Sequence, residues 1–218
     1  LEVQGNILTT QEDAPVAKAY TSENLNAPHS LYVSGKYAYV LGNNSGTLNI
    51  FDISNPNSIV TKAYTDVGLS EYPQAVKVSG KYAYVIVQGN NQLCIFDISN
   101  PDSIVTKGNT VVGLSVPFGL YVSGKYPYVT NQISGSLCIF DISNPDSIVA
   151  KASTSVNLGQ AALGVRVSGK YAYVGARNDT TSVNLCIFDI SNPDSIVTKG
   201  YIADPNLEYP FHLYVYGK

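Results

Sequence analysis

The chain has 218 residues, no tryptophan and no methionine, and only 13% of it is charged. A soluble domain usually carries about a quarter of charged residues. With a net charge of −3 and no basic stripe, nucleic acid is not an expected partner. No apolar run approaches the ~20 residues of a membrane-spanning helix, so membrane insertion is not expected. The two histidines are His29 and His212. There is no Gly-x-Ser-x-Gly elbow, no His-Glu-x-x-His and no phosphate-binding loop, so neither a catalytic centre nor a cofactor is expected. The initiator Met is missing too, because the chain opens Leu1-Glu2-Val3. That start reads as a processed, trimmed or partial chain. A removed export signal would leave this appearance, and a secreted or cell-surface location is the expectation.

What is abundant is tyrosine (17), glycine (18) and a repeat. VSGKYAYV occurs at Val33–Val40, Val78–Val85 and Val167–Val174, with VSGKYPYV at Val122–Val129 and a restart, VYGK, at Val215–Lys218. Each full copy is followed by FDISNPNSIVTK or a near variant, from Phe51, Phe96, Phe140 and Phe188. The steps are 45, 44, 45 and 48 residues. A period in this range, rich in β-branched residues, points to a propeller blade and not to a helical solenoid.

The first copy reads as strands His29–Ser34, Tyr37–Leu41, Leu48–Ile53 and Ile59–Thr65, here called A to D. A tight turn at Ser34-Gly35-Lys36 joins A to B, and an Asx–Pro turn at Ser54–Asn57 joins C to D. The strands are apolar on both faces, since Leu93 and Ile95 alternate with Cys94 and Phe96. A sheet stacked between two neighbours requires that. The expected fold is an all-β single propeller over residues 1–218, with units near 29–65, 74–110, 118–154 and 163–202. Pro15–Tyr20 aligns with Ile59–Tyr64, and Val3–Asn6 with Val87–Asn90, whereas Phe211–Lys218 carries only a strand A. Residues 1–20 plus 211–218 would then form a composite fifth blade that closes the ring and removes free edges. The alternative is a segment of a larger ring.

FDISNPDSIV after GKYAYV closely resembles the LVIVD repeat, a propeller unit of bacterial and archaeal surface or secreted proteins. The resemblance implies an extracellular or cell-surface propeller and no defined activity. One departure is Pro127, where the other copies have Ala38, Ala83 and Ala172. Proline cannot donate to a ladder, so this strand should carry a bulge or a free position.

The four aspartates Asp52, Asp97, Asp141 and Asp189 could be metal ligands or acids. Their place before Ser-Asn-Pro favours carboxylates that accept turn amides, and no metal is expected. Asp102, Asp146 and Asp194 should share a rim with Lys36, Lys81, Lys125 and Lys170 as a self-compensated ring of charge. Cys94, Cys138 and Cys186 hold one repeat position. Packed sheets are about 10 Å apart, and a disulfide needs Cα atoms within about 7 Å, so these are expected to be buried thiols. Asn43-Asn44-Ser45 and Asn178-Asp179-Thr180 match the glycosylation sequon.

The A–B and C–D turns hardly vary between copies, whereas the B–C and D–A loops differ, and these two loop sets share one face. Drift explains such divergence, and so does a binding face on a rigid scaffold. One strand A position holds Tyr32, Lys77, Tyr121, Arg166 and Tyr214; three residues earlier, near the funnel mouth, come His29, Gln74, Phe118, Leu163 and Phe211, and His212 joins His29 among the candidate ligand-binding residues. Aromatic plates with cations suit a small polar or anionic ligand or a sugar. The same residues also serve as channel filler with the cations reaching water. The expected function is a non-catalytic binding module that engages a protein or glycan partner through the variable-loop face. A lectin-like propeller and a structural subunit of a surface layer or filament are the alternatives, the last with self-association.

Overall fold

A computed structural model describes residues 17–66, 68–70, 72–155, 158, 161–177, 183–204, 210 and 213–215. These form sixteen strands and no helix. β1 (Pro28–Ser34), β2 (Tyr37–Gly42), β3 (Thr47–Asn55) and β4 (Ser58–Thr65) make one antiparallel sheet in chain order. β5 (Pro73–Ser79) to β8 (Ser103–Thr110), β9 (Pro117–Ser123) to β12 (Val149–Thr154), and β13 (Ala161–Ser168) to β16 (Ser195–Ala203) repeat it. Between the outer members lie β6 (Tyr82–Val87), β7 (Gln92–Asn100), β10 (Tyr126–Asn131), β11 (Ser136–Asp141), β14 (Tyr171–Arg177) and β15 (Val183–Asn192). Four propeller-like blades are thus present among the described residues. The expected composite blade falls almost wholly outside them.

The turn chemistry explains the hairpins. Gly35, Gly80, Gly124 and Gly169 each sit at φ between 56° and 59° in the first loop position, while the lysine that follows is not left-handed. That is the type II′ arrangement, whose twist matches the strands it joins. At the C–D turn, the amides of Asn57, Asp102, Asp146 and Asp194 donate to the side chain of the asparagine two residues earlier. A bulge then interrupts every C–D ladder at one place. Ile50 pairs with Ala63 and Phe51 with Thr61, so Lys62 is left over; Lys151 is skipped in the same way, and so is Lys199. A bulge re-aims the side chain it carries.

Blades stack face to face. Tyr39, Leu41, Leu48 and Ile50 of the first blade pack on Val76, Val85, Cys94 and Phe96 of the second. The same positions join the second blade to the third and the third to the fourth. Phe51, Phe96, Phe140 and Phe188 are fully buried. The array ends differently. Leu31 is 59% exposed, whereas its equivalents Val76, Leu120 and Val165 are at most 3% exposed. At the other end Ile202 is 50% exposed, where Thr65 and Thr110 are buried.

Pro127 takes the second of its two expected outcomes. Its pairing with Val122 on β9 is intact, but the β10–β11 register starts only at Tyr128. In the first blade Ala38 pairs with Phe51. The tight turn makes Ser34–Tyr37 a hydrogen-bonded pair, so the amide of residue 38 points at β3. Proline lacks that amide, and β11 stops at Asp141, while the turn beyond it keeps its Ser147–Asn144 backbone hydrogen bond.

Candidate functional site

The four innermost strands, β1, β5, β9 and β13, surround a cavity of about 610 Å³. Its described lining includes His29, Gln74, Lys77, Phe118, Arg166 and Leu213, with Gln88 and Gln132 contributed by the loops after β6 and β10. No carboxylate occurs among the described lining residues.

The expected ring resolves into pairs. The Lys77 ammonium lies 5.2 Å from the centre of the Tyr32 ring, and the Arg166 guanidinium 5.7 Å from that of Tyr121. Each cation therefore rests on the tyrosine of the preceding blade, which holds it by cation–π attraction. Burial pushes the Lys77 pKa down, and the positive Arg166 adds to that. Two like charges thus act on each other at a half-buried site, where an anion would relieve both desolvation and repulsion. Tyr214 is 83% exposed. His212 lies outside the described residues. Gln88 and Gln132 were not singled out by sequence; their shared slot just after strand B was the available signal.

The repeated aspartates serve the turns. Asp52, Asp97, Asp141 and Asp189 accept the amides of Ser54, Ser99, Ser143 and Ser191 at 2.8–3.0 Å. The Ser54 and Ser143 hydroxyls and amides, helped by Lys36 and Lys125, hold Asp52 and Asp141 down at about 2. The charge ring is wired differently from the expectation. Lys36, Lys81, Lys125 and Lys170 pair with these aspartates within their own blade. Asp102, Asp146 and Asp194 instead pair with the bulged Lys62, Lys107 and Lys151 of the preceding blade, at 2.7–3.0 Å. The reason is the bulge, which turns each lysine out of its own ladder and toward the next sheet.

The three cysteines are buried, and burial pushes Cys94 and Cys186 up to about 12. Cys94 and Cys138 donate to the carbonyls of Gly68 and Gly113. No group of three metal-ligating side chains occurs among the described residues. The D–A loops differ in sequence but share one backbone turn. Leu25, Leu69, Leu114 and Leu158 each donate an amide to the carbonyl three residues back. Ala27, Tyr72 and Val116 then adopt φ of 51°, 68° and 50°.

Solved structures with similar folds include a candidate 6-phosphogluconolactonase of Bacteroides fragilis, at 18% identity and a TM-score of 0.67, covering 85% of this chain and 59% of that one. The periplasmic gluconolactonase of Pseudomonas aeruginosa matches at 15% identity and a TM-score of 0.63, over 81% of this chain and 57% of the other. Hydrazine synthase of Kuenenia stuttgartiensis matches at 16% identity and 0.66, over 87% of this chain and 53% of the other. The chain thus spans little more than half the length of these structures, and identities this low show the fold alone. No curated protein matches the chain. The model of the LVIVD repeat matches residues 28–66, 72–111, 119–155 and 159–204, which correspond to the four blades, and the chain belongs to the LVIVD repeat family.

Proposed function

We propose that this chain is a non-catalytic binding module, secreted or displayed at the cell surface, whose loop face leads into a central funnel for a small anionic ligand such as a sugar acid. The observation that carries this is the funnel lining. It sets Lys77 and Arg166 against His29, Gln74, Gln88 and Gln132, with no described carboxylate among them. Glutamines supply donors and acceptors for hydroxyl groups, and the two cations supply charge recognition. The lactonases named above share the fold, and a sugar lactone or its acid is a reasonable probe. Hydrolysis would need a base beside the carbonyl, a role that among these residues only His29 and a deprotonated Lys77 could fill. A protein or glycan partner on the same loop face is compatible with an occupied funnel.

The same reading takes the ring to have five blades, the last built from residues 1–20 and 211–218. Three described features support it. Leu213 lines the funnel together with its strand A equivalents Leu31, Leu120 and Val165. The Pro210 carbonyl occupies the space that a Cβ on Gly175 would need, so β14 has glycine where that segment crosses it. Residues 21–27 repeat the inter-blade connector, as they would after a preceding strand D.

The test is a thermal shift with sulfate, phosphate, gluconate and glucuronate against neutral sugars. We expect the anions to raise the melting temperature and Lys77→Leu with Arg166→Leu to abolish the rise without unfolding the protein. Equal shifts from neutral sugars would favour a lectin. No shift with any anion would leave the funnel a filled channel.

A further inference from the structure

Each blade is tied to the next by one outer ion pair. The bulged lysine of strand D meets the aspartate of the following C–D turn in Lys62–Asp102, Lys107–Asp146 and Lys151–Asp194. The fourth lysine, Lys199, has no following described blade. It turns back 3.7 Å to Asp189 of its own sheet. Its side chain is 49% exposed, against 24–26% for the other three. The opposite end of the array differs too, because Asn57 stands in the first blade where the others have the aspartate.

The alignment of Pro15–Tyr20 with Ile59–Tyr64 puts Asp13 in this same slot. We propose that the N-terminal segment around Asp13 docks on the open face of the fourth blade, with Asp13 pairing to Lys199 as the fourth rung of the ladder. This rests on the five-blade reading and names the contact that fixes the clasp. Charge identifies the occupant. A second copy packed head to tail would bring its own first blade, and hence Asn57, opposite Lys199 and would leave the lysine with no acid from the covering blade, only Asp189 of its own sheet. The N-terminal segment, by contrast, offers an acid there. The face it would cover is unfinished: Tyr173, Leu185 and Ile187 are half-buried, whereas Tyr39, Leu48 and Ile50 at the same positions are buried. The partner face on the first blade is uncovered in part. Leu31 and Val33 are exposed there, while Phe51 and Asn49 are buried and the Asn49 Oδ1 lacks a donor.

Carbodiimide coupling tests this, since it joins an amine to a carboxylate only when the two already touch. Full-length protein is mixed as light and 15N-labelled copies at micromolar concentration and coupled, and cross-linked peptides are mapped by mass. The three described rungs serve as references. We expect a Lys199–Asp13 link of uniform isotope content that Asp13→Asn removes. A link of mixed isotope content would mean that the clasp forms between copies, and would overturn the proposal. So would coupling of Lys199 to Asp189 alone while the references form. In that event hydrogen exchange separates the two readings: protected amides within residues 1–20 would leave the five-blade ring standing without this rung, and unprotected ones would remove both.

Discussion

At the scale of single residues, one aspartate per blade does a structural task that a catalytic acid could have resembled. Asp52 and Asp141 are held at about 2 by the Ser54 and Ser143 donors first, and by Lys36 and Lys125 after them. Ser99 and Ser191 lower Asp97 and Asp189 in the same direction. A carboxylate whose pKa is lower folded than unfolded favours the folded state above its unfolded pKa, about 3.8 here. That contribution is lost as pH falls through the folded value. The denaturation midpoint should therefore drop between about pH 4 and pH 2, with a flatter profile for Asp52→Asn with Asp141→Asn. Because hydroxyl and amide donors dominate, the drop should persist in high salt, which screens exposed lysine pairs. A wild-type midpoint that is flat across this window would refute the assignment.

At the scale of elements, the strands were legible because each carries its own punctuation. The glycine of the A–B turn and the Asn-Pro of the C–D turn bracket runs whose two faces are both apolar. Strand bounds read from residues fall within two positions of those observed in the first blade. The bulged lysines were not legible. Lys62 and Lys36 look alike in sequence, and only the ladder shows that one is expelled toward its neighbour while the other stays with its own blade. The shared shape of the D–A loops was hidden as well, because backbone conformation there is kept by different residues: Asn24 in one copy, Gly68 and Gly113 in others, all left-handed. Pro127 allows an element-scale test. Pro127→Ala restores an amide aimed at Phe140, extending the β10–β11 ladder to match the other blades. The added hydrogen bond, about 1 kcal/mol, is offset by the greater freedom of the unfolded chain without proline, about 0.4–1 kcal/mol. Stability should therefore hardly change, while the amide newly created at position 127 becomes protected from hydrogen exchange. An amide there that exchanges at loop rates would show that the ladder stays short for another reason.

At the scale of the whole molecule, a row of stacked sheets has two ends, and the ends decide how it behaves. Interior blades bury both faces, as Phe96 and Ile95 show at 0% exposure on opposite sides of β7. The terminal faces leave Leu31, Val33 and Ile202 at least half exposed. Covering a side chain of that size stabilises by roughly 1.5–3 kcal/mol, so the drive to cover both ends is several times the strength of any single surface ion pair. On the five-blade reading the funnel depends on the same closure, since Leu213 contributes to its wall. On that reading, deleting residues 211–218 removes the innermost strand of the closing blade and leaves its remaining strands without that partner. The truncated chain should aggregate or lose its single cooperative unfolding transition, and any anion-dependent thermal shift should vanish with it. Sedimentation and calorimetry on the deletion and full-length chains check this directly. A deletion that stays monomeric, melts at the full-length temperature and still responds to anions would show that four blades suffice, both for stability and for the site.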